Sequence, residues 1–357
     1  YQGIVTPVWG TPSRSTADRI PNLPVVEITA TDGAWLRERL DAGPVELTIT
    51  TDVRTELAEL PCPVGRIDGR ESDRFLLIGN HIDSWFEGMT DNATAVAATL
   101  EVARVLSTRD RALRRGVRFG FWPGHSTGRY AGSTWYADEF ALDIAHNCVA
   151  QVNMDSPGAK DATEYTDMSC WCPEAHDLVV DAVDDVTGAP TGENFPFRAG
   201  DYSFDNLGIT GFFMLSSNIP TEERERRGYH GVGGCGGNSD AWHVSTDTLD
   251  KAGREELVRD IRVYAVSLLR VLNADVLPFD HARNARVVAD AVREYDEAAG
   301  ESFDLGPTVT ALEELEAELS AFHAAADAGE IDPDEANETI TELSRILTRL
   351  NLVRDGQ

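Results

Sequence analysis

Between about residues 66 and 275, apolar runs of strand length alternate with longer amphipathic runs, and this alternation leaves few architectures open. "RFLLIGN" is followed by "NATAVAATLEVARVL", then "GVRFGFW", then "NCVAQVNMD". Further on, "GITGFFML" reads as another buried strand and "REELVRDIRVYAVSLLRVL" as another amphipathic helix. Strands separated by helical segments bury both faces of a sheet under helices, so the fold class is α/β. In the first helix, Ala93, Val96, Ala97, Leu100 and Ala103 recur at helical spacing and are expected to face the core.

The flanks have different textures. Residues 1–65 hold short strand-like runs, "LPVVEITA" and "VELTIT", around a short helix, "DGAWLRERLDAG", which Gly43 ends. Residues 279–357 carry helical patterning rich in Ala, Glu and Leu, with one break near "GEIDPDEA". There Asp332, Pro333 and Glu335 mark a helix start. The expected division is a lead-in segment (1–65), a sheet domain (66–278) and a helical domain (279–357).

Charge narrows the function classes. The chain has 61 Asp and Glu against 31 Lys and Arg, a formal charge of −30, and its only lysines are Lys160 and Lys251. Such a surface repels itself in dilute buffer, but at about 1 M salt the screening length falls to about 3 Å. The balance resembles that of proteins from extreme halophiles. It opposes nucleic-acid binding, which needs a basic footprint. No apolar run reaches the roughly 18–20 residues of a membrane span, so no membrane association is expected. The five cysteines are odd in number and scattered, so Cys170-Trp171-Cys172 is read as ordinary packing. The first residue is Tyr1 rather than Met, as in a processed or truncated chain, so the lack of a leader says little. The sparse cysteines favour the cytoplasm, and nothing else bears on compartment.

In an open α/β sheet, ligands bind beyond the carboxyl ends of the strands. "LLIGNHIDSW" ends there in His81 and Asp83, Asp91 opens the following helix, and "AQVNMDSPG" ends in Asp155. A Gly-rich loop then leads into "AWHVSTDTLD" with His243. Each has an ordinary alternative: a hydrogen-bonded strand-end His, a helix cap at Asp91, turn chemistry at Asp155. Together, two imidazoles and two carboxylates form a donor set that suits zinc. The strand "RFGFW" breaks at Pro123-Gly124 into a loop with His125, Ser126, Arg129 and Tyr130. Its Gly124-His125-Ser126-Thr127-Gly128 fits the G-x-S-x-G serine-hydrolase pattern.

From about Gly65 to Leu272 the chain resembles the M28 family of zinc exopeptidases, the aminopeptidase and glutamate-carboxypeptidase group. "GNHIDSW…GMTDNATAVAATLEVAR" corresponds to its His-x-Asp and Asp-Asn block, "NMDSPG" to its Asn-x-Asp block and "HVSTDTLD" to its closing His block. The resemblance implies a mixed central sheet flanked by helices and one or two zinc ions. Asp91 would bridge the metals, His81 and Asp155 would complete one, and His243 would contribute to the other. Asp83 would orient His81. Asp201, in "RAGDYSF", matches a position near the substrate pocket. The opening residues resemble the tail of a protease-associated domain. The C-terminal helices resemble a dimerisation domain, which implies a homodimer.

The match fails where the family carries Glu-Glu, the general base and a metal ligand; here His125-Ser126 stands instead. Base catalysis is typically worth 10²–10⁴-fold. His125 has the chemistry to replace one lost role, as base or ligand, with Arg129 and Tyr130 near a substrate carboxylate or oxyanion. Three readings follow. The first is a metal-dependent hydrolase cleaving a peptide or small amide. The second is an inactive, receptor-like dimer on a peptidase fold. The third is a serine hydrolase using Ser126, Asp201 and His243, which leaves His81, Asp83 and Asp91 unexplained.

Overall fold

The computed structural model describes residues 23–54, 56, 58–70, 73–108, 113–126, 128, 130–196, 203–213 and 217–351. Helix α1 (Ala30–Ala42) precedes strands β1 (Val64–Ile67) and β2 (Phe75–His81); helix α2 (Thr94–Ser107) then leads to β3 (Gly116–Trp122). Helices α3 (Ala131–Glu139) and α4 (Ala141–Asn147) run into β4 (Cys148–Asn153). Helices α5 (His176–Thr187), α6 (Thr221–Arg227) and α7 (Arg254–Asn273) follow. The C-terminal region is helical, with α8 (His281–Ala299), α9 (Gly306–Asp327) and α10 (Pro333–Asn351).

The strands lie in the order β1-β3-β2-β4. β2 pairs in parallel with β3 and β4, and β1 runs antiparallel to β3, so the sheet is mixed. β2 is buried along its whole length, as a near-continuous apolar run in a doubly covered sheet should be. One face packs Leu76, Ile78, Val117 and Val152 against Ala98 and Val102 of α2, Val179 of α5 and Leu268 of α7. The other packs Phe75, Leu77 and Trp122 against Tyr136, Ile144 and Phe204. The Trp122 ring lies back across two strands, which requires glycine beneath it. A Cβ at Gly120 would meet the ring at 1.9 Å, and one at Gly79 would meet its Nε1 at 2.4 Å.

The C-terminal helices are fastened to the sheet by polar side chains. The Arg345 guanidinium donates to the carbonyls of Ala145, Cys148 and Gly208. The buried Glu174 carboxylate accepts from Thr210 (2.6 Å), Asn284 (2.8 Å) and Thr348 (2.8 Å). Ile340 of α10 joins the main core.

Three expectations need correction. Residues 23–29 and 45–50 form no strand: nearly all are exposed and none has a partner strand among the described residues. Thr29, at the end of the first run, caps α1 by accepting the Asp32 N–H at 3.1 Å. Residues 208–213 make only isolated bridges, at Gly211 and Phe212. Left-handed backbone at Gly208 (φ 73°) and Phe213 (φ 57°) leaves too short an extended run between them. In α2 the buried face is Thr94, Ala95, Ala98, Thr99, Val102 and Leu106, whereas Leu100 is 56% exposed. Apolar residues surround this helix, so spacing alone could not select the face. Two buried threonines, Asn80 bonding one at 2.8 Å, fix it.

Candidate metal centre

The carboxyl ends of β2, β3 and β4 converge on one side of the sheet, and the suspected residues gather there. His81 is the last residue of β2 and Asp155 lies two residues beyond β4. The loop after β3 carries His125. Asp91 sits in the tight turn Met89–Ala93 that leads into α2, and its peptide bond to Asn92 is cis. One Asp91 oxygen lies 3.0 Å from His81 Nε2 and the other 3.3 Å from His243 Nε2. Asp155 Oδ1 lies 3.6 Å from the same His81 nitrogen.

His125 joins this group from above. Its ring stacks on His81, with centroids 4.0 Å apart and planes 7° from parallel. Its Nε2 lies 4.0 Å from Asp155 Oδ2, its buried Nδ1 has no hydrogen-bond partner among the described residues, and Tyr130 meets the ring edge-on at 4.8 Å. One ligand atom each from His81, His125 and Asp155 lie within 4.8 Å of one another. His243 is clasped by aromatics: Trp242 stacks on it at 4.0 Å, and Trp85 lies at 5.9 Å.

Charge is held in place by these contacts. Burial alone would raise the Asp91 and Asp83 carboxyls. Instead His243 and His81 hold Asp91, and His81 and the His125 N–H hold Asp83, well below the usual carboxylate range. Burial works against a charged His81, but Asp155, Asp83 and Asp91 outweigh it and raise its pKa well above the ordinary value. His125 goes the other way, to about 4, through burial and the charge of His81.

The donor set fits a cation on evidence internal to the site. His81 Nδ1 is committed to the Asp83 main-chain oxygen at 2.8 Å. Its Nε2 is buried, has no hydrogen-bond partner among the described residues, and faces two carboxylates. Carboxylate oxygens this close to Nε2 require positive charge there, which a proton on His81 or a bound cation in its place supplies. Imidazole with carboxylate is a set that zinc accepts.

Two candidates, Arg129 and Asp201, lie outside the described residues. The Asp83 carboxylate stands 3.7 Å from His81 Nδ1, beyond hydrogen-bond reach, so His81 is oriented by the Asp83 carbonyl instead. The Asp83 carboxylate accepts the backbone N–H groups of His125 (2.8 Å) and Ser126 (3.1 Å). Among the described residues Ser126 Oγ makes no hydrogen bond, and His243 turns its Nε2 to Asp91; Asp201, the third member of the serine-triad alternative, lies outside the described residues. Cys170 and Cys172 are buried core residues. Sequence reasoning passed over Asp247, Asn92, Trp85 and Trp242. Asp247 and Asn92 stood within quoted motifs, and their polarity beside apolar runs was the available signal.

A model of peptidase family M28 matches residues 64–266. A sequence described as a probable glutamate carboxypeptidase of Zea mays is 26% identical over 261 residues, covering 68% of this chain and 35% of that protein. An aminopeptidase of Pseudomonas aeruginosa is 26% identical over 253 residues, covering 66% of this chain and 45% of that protein. Among solved structures, a zinc aminopeptidase from Bacillus subtilis aligns with a TM-score of 0.49 at 17% identity, covering 59% of this chain and 50% of that one. The chain thus spans less than half the length of these two curated relatives.

Proposed function

Because the chain belongs to peptidase family M28, we propose that it is a metal-dependent exopeptidase that hydrolyses a peptide or related amide bond, with His125 as its general base. The observation that carries this reading is His81 Nε2, buried and facing the Asp91 and Asp155 carboxylates at 3.0 and 3.6 Å. His81, Asp91, Asp155 and His243 would hold zinc, which when bound supplies Lewis acidity toward the scissile carbonyl.

His125 is close enough to Asp155 to serve as a ligand, but its orientation favours the base. The lone pair of an imidazole nitrogen lies in the ring plane. Two stacked rings 7° from parallel direct their lone pairs along lines that do not converge on one point. Burial keeps the His125 ring neutral near pH 7, which leaves one ring nitrogen able to accept a proton from an attacking water. Asp83 holds the loop that carries it, and Tyr130 fixes the ring from its edge.

A binding protein without hydrolytic activity is the competing reading, favoured by Ser126, which among the described residues contributes only its backbone N–H. The test is a panel of aminoacyl and peptidyl amides with the wild type and His125→Ala, with zinc measured in both. The base reading expects kcat to fall by about 10²–10⁴-fold in the variant with zinc retained. Zinc lost with His125 would make it a ligand. Zinc bound without turnover of any amide would favour the binding protein.

A further inference from the structure

Asp247, four residues after His243, is only 2% exposed and spends its carboxylate on the turn that carries Asp91. It accepts the Thr90 N–H at 3.0 Å, the Thr90 hydroxyl at 2.7 Å and the Asp91 N–H at 3.0 Å. Its own carbonyl accepts the Met89 N–H at 3.2 Å. Three successive N–H groups at a helical start, which have no partner within the helix, therefore end on one residue of a distant segment. Asp247 does in trans what a capping side chain does locally.

The segment it belongs to is itself constrained. His243 has φ 57°, a conformation that a non-glycine residue keeps only when its surroundings impose it. The Asp247 N–H closes the following turn on the Val244 carbonyl at 3.2 Å. On the other side of Asp91, Asn92 donates to the Met154 carbonyl at 3.1 Å and accepts the Ser156 N–H at 3.0 Å. Asp91 is thus braced toward His243 by Asp247 and toward Asp155 by Asn92.

We infer that Asp247 is a positioning residue: it fixes the Asp91 carboxylate relative to His243 and so sets how tightly that pair holds a divalent cation. The inference rests on the metallopeptidase reading above. Its test is a double-mutant cycle on the full chain, with zinc affinity measured by calorimetry for the wild type, Asp247→Asn, His243→Ala and the double variant. Asn keeps the shape but turns one acceptor into a donor that faces N–H groups. Zinc affinity should fall by about 10–100-fold in Asp247→Asn. In the His243→Ala background the same change should have little effect, because the geometry it protects is gone. Equal losses in both backgrounds, or no loss in either, overturns the inference while leaving the metal centre standing. A wild type that binds no zinc overturns both. Should Asp247→Asn not fold, Thr90→Val carries the same cycle: a smaller loss, about threefold to tenfold, confined to the background with His243, is expected. An unchanged affinity there overturns the inference.

Discussion

The Asp83 carboxylate accepts the backbone N–H of His125 at 2.8 Å, while the Asp83 carbonyl takes the Nδ1–H of His81 at 2.8 Å. One residue therefore fixes the tautomer of one histidine and the height of the loop bearing the other. Asp83→Asn should keep the carbonyl contact and weaken the loop contact, since an amide nitrogen cannot accept from Ser126. Activity should fall by about 10–100-fold with a smaller change in zinc affinity. Steady-state kinetics beside zinc titration checks this; zinc lost in proportion to activity would contradict the division of labour.

The Trp122 ring leaves no room at Gly120, where a Cβ would meet it at 1.9 Å. Gly120→Ala should cost about 3 kcal/mol, because both neighbouring strands are packed and neither can yield. Urea denaturation of the variant measures it directly. A loss below about 1 kcal/mol would mean that the ring has another place to go.

Acid should loosen the C-terminal helices through His281. This residue is fully buried, its Nε2 bonds Ser344 Oγ at 2.9 Å, and burial and the nearby His323 hold its pKa down to about 3. Facing it are His323, also lowered by burial, and the Asp280 carboxylate. A depressed imidazole means that below about pH 6.5 the unfolded chain binds a proton that the folded chain refuses. Stability is thus intact above that pH and falls as pH drops toward the folded value. By pH 5 the loss from this group should be about 2 kcal/mol. Denaturation of wild type and His281→Gln at pH 7 and pH 5 tests it; the variant should show the smaller acid loss.

The ligand-type residues were legible because parallel strands buried on both faces are mostly apolar. A polar residue such as His81 or Asp155 then stands out where the strand stops. The α2 face was not legible, since Ala97 and Leu100 are as apolar as Ala98 and Val102, and the deciding contact, Asn80 to Thr99, is tertiary. The strand-like runs at 23–29 and 45–50 have the right residues but no strand to pair with among the described residues. Asp247 escaped notice because its role lies in backbone N–H groups more than 150 residues away in sequence, at Thr90 and Asp91.

The formal charge of −30 in 357 residues bears on folding as well as on solubility. We expect the melting temperature to rise steadily between about 0.1 and 2 M NaCl as screening shortens. A scanning-calorimetry series measures it, and a flat response would remove the argument for a salt-adapted surface.

The proposed chemistry depends on a metal cation, in place of the His81 proton, resting between His81 Nε2 and the carboxylates of Asp91 and Asp155. The most direct measurement is divalent metal per chain, by atomic emission, in wild type and His81→Ala purified in molar salt without chelator. At least one zinc-like ion per wild-type chain, and a clear loss in His81→Ala, is the predicted result. A folded wild type that carries no metal and binds none on titration would contradict the account.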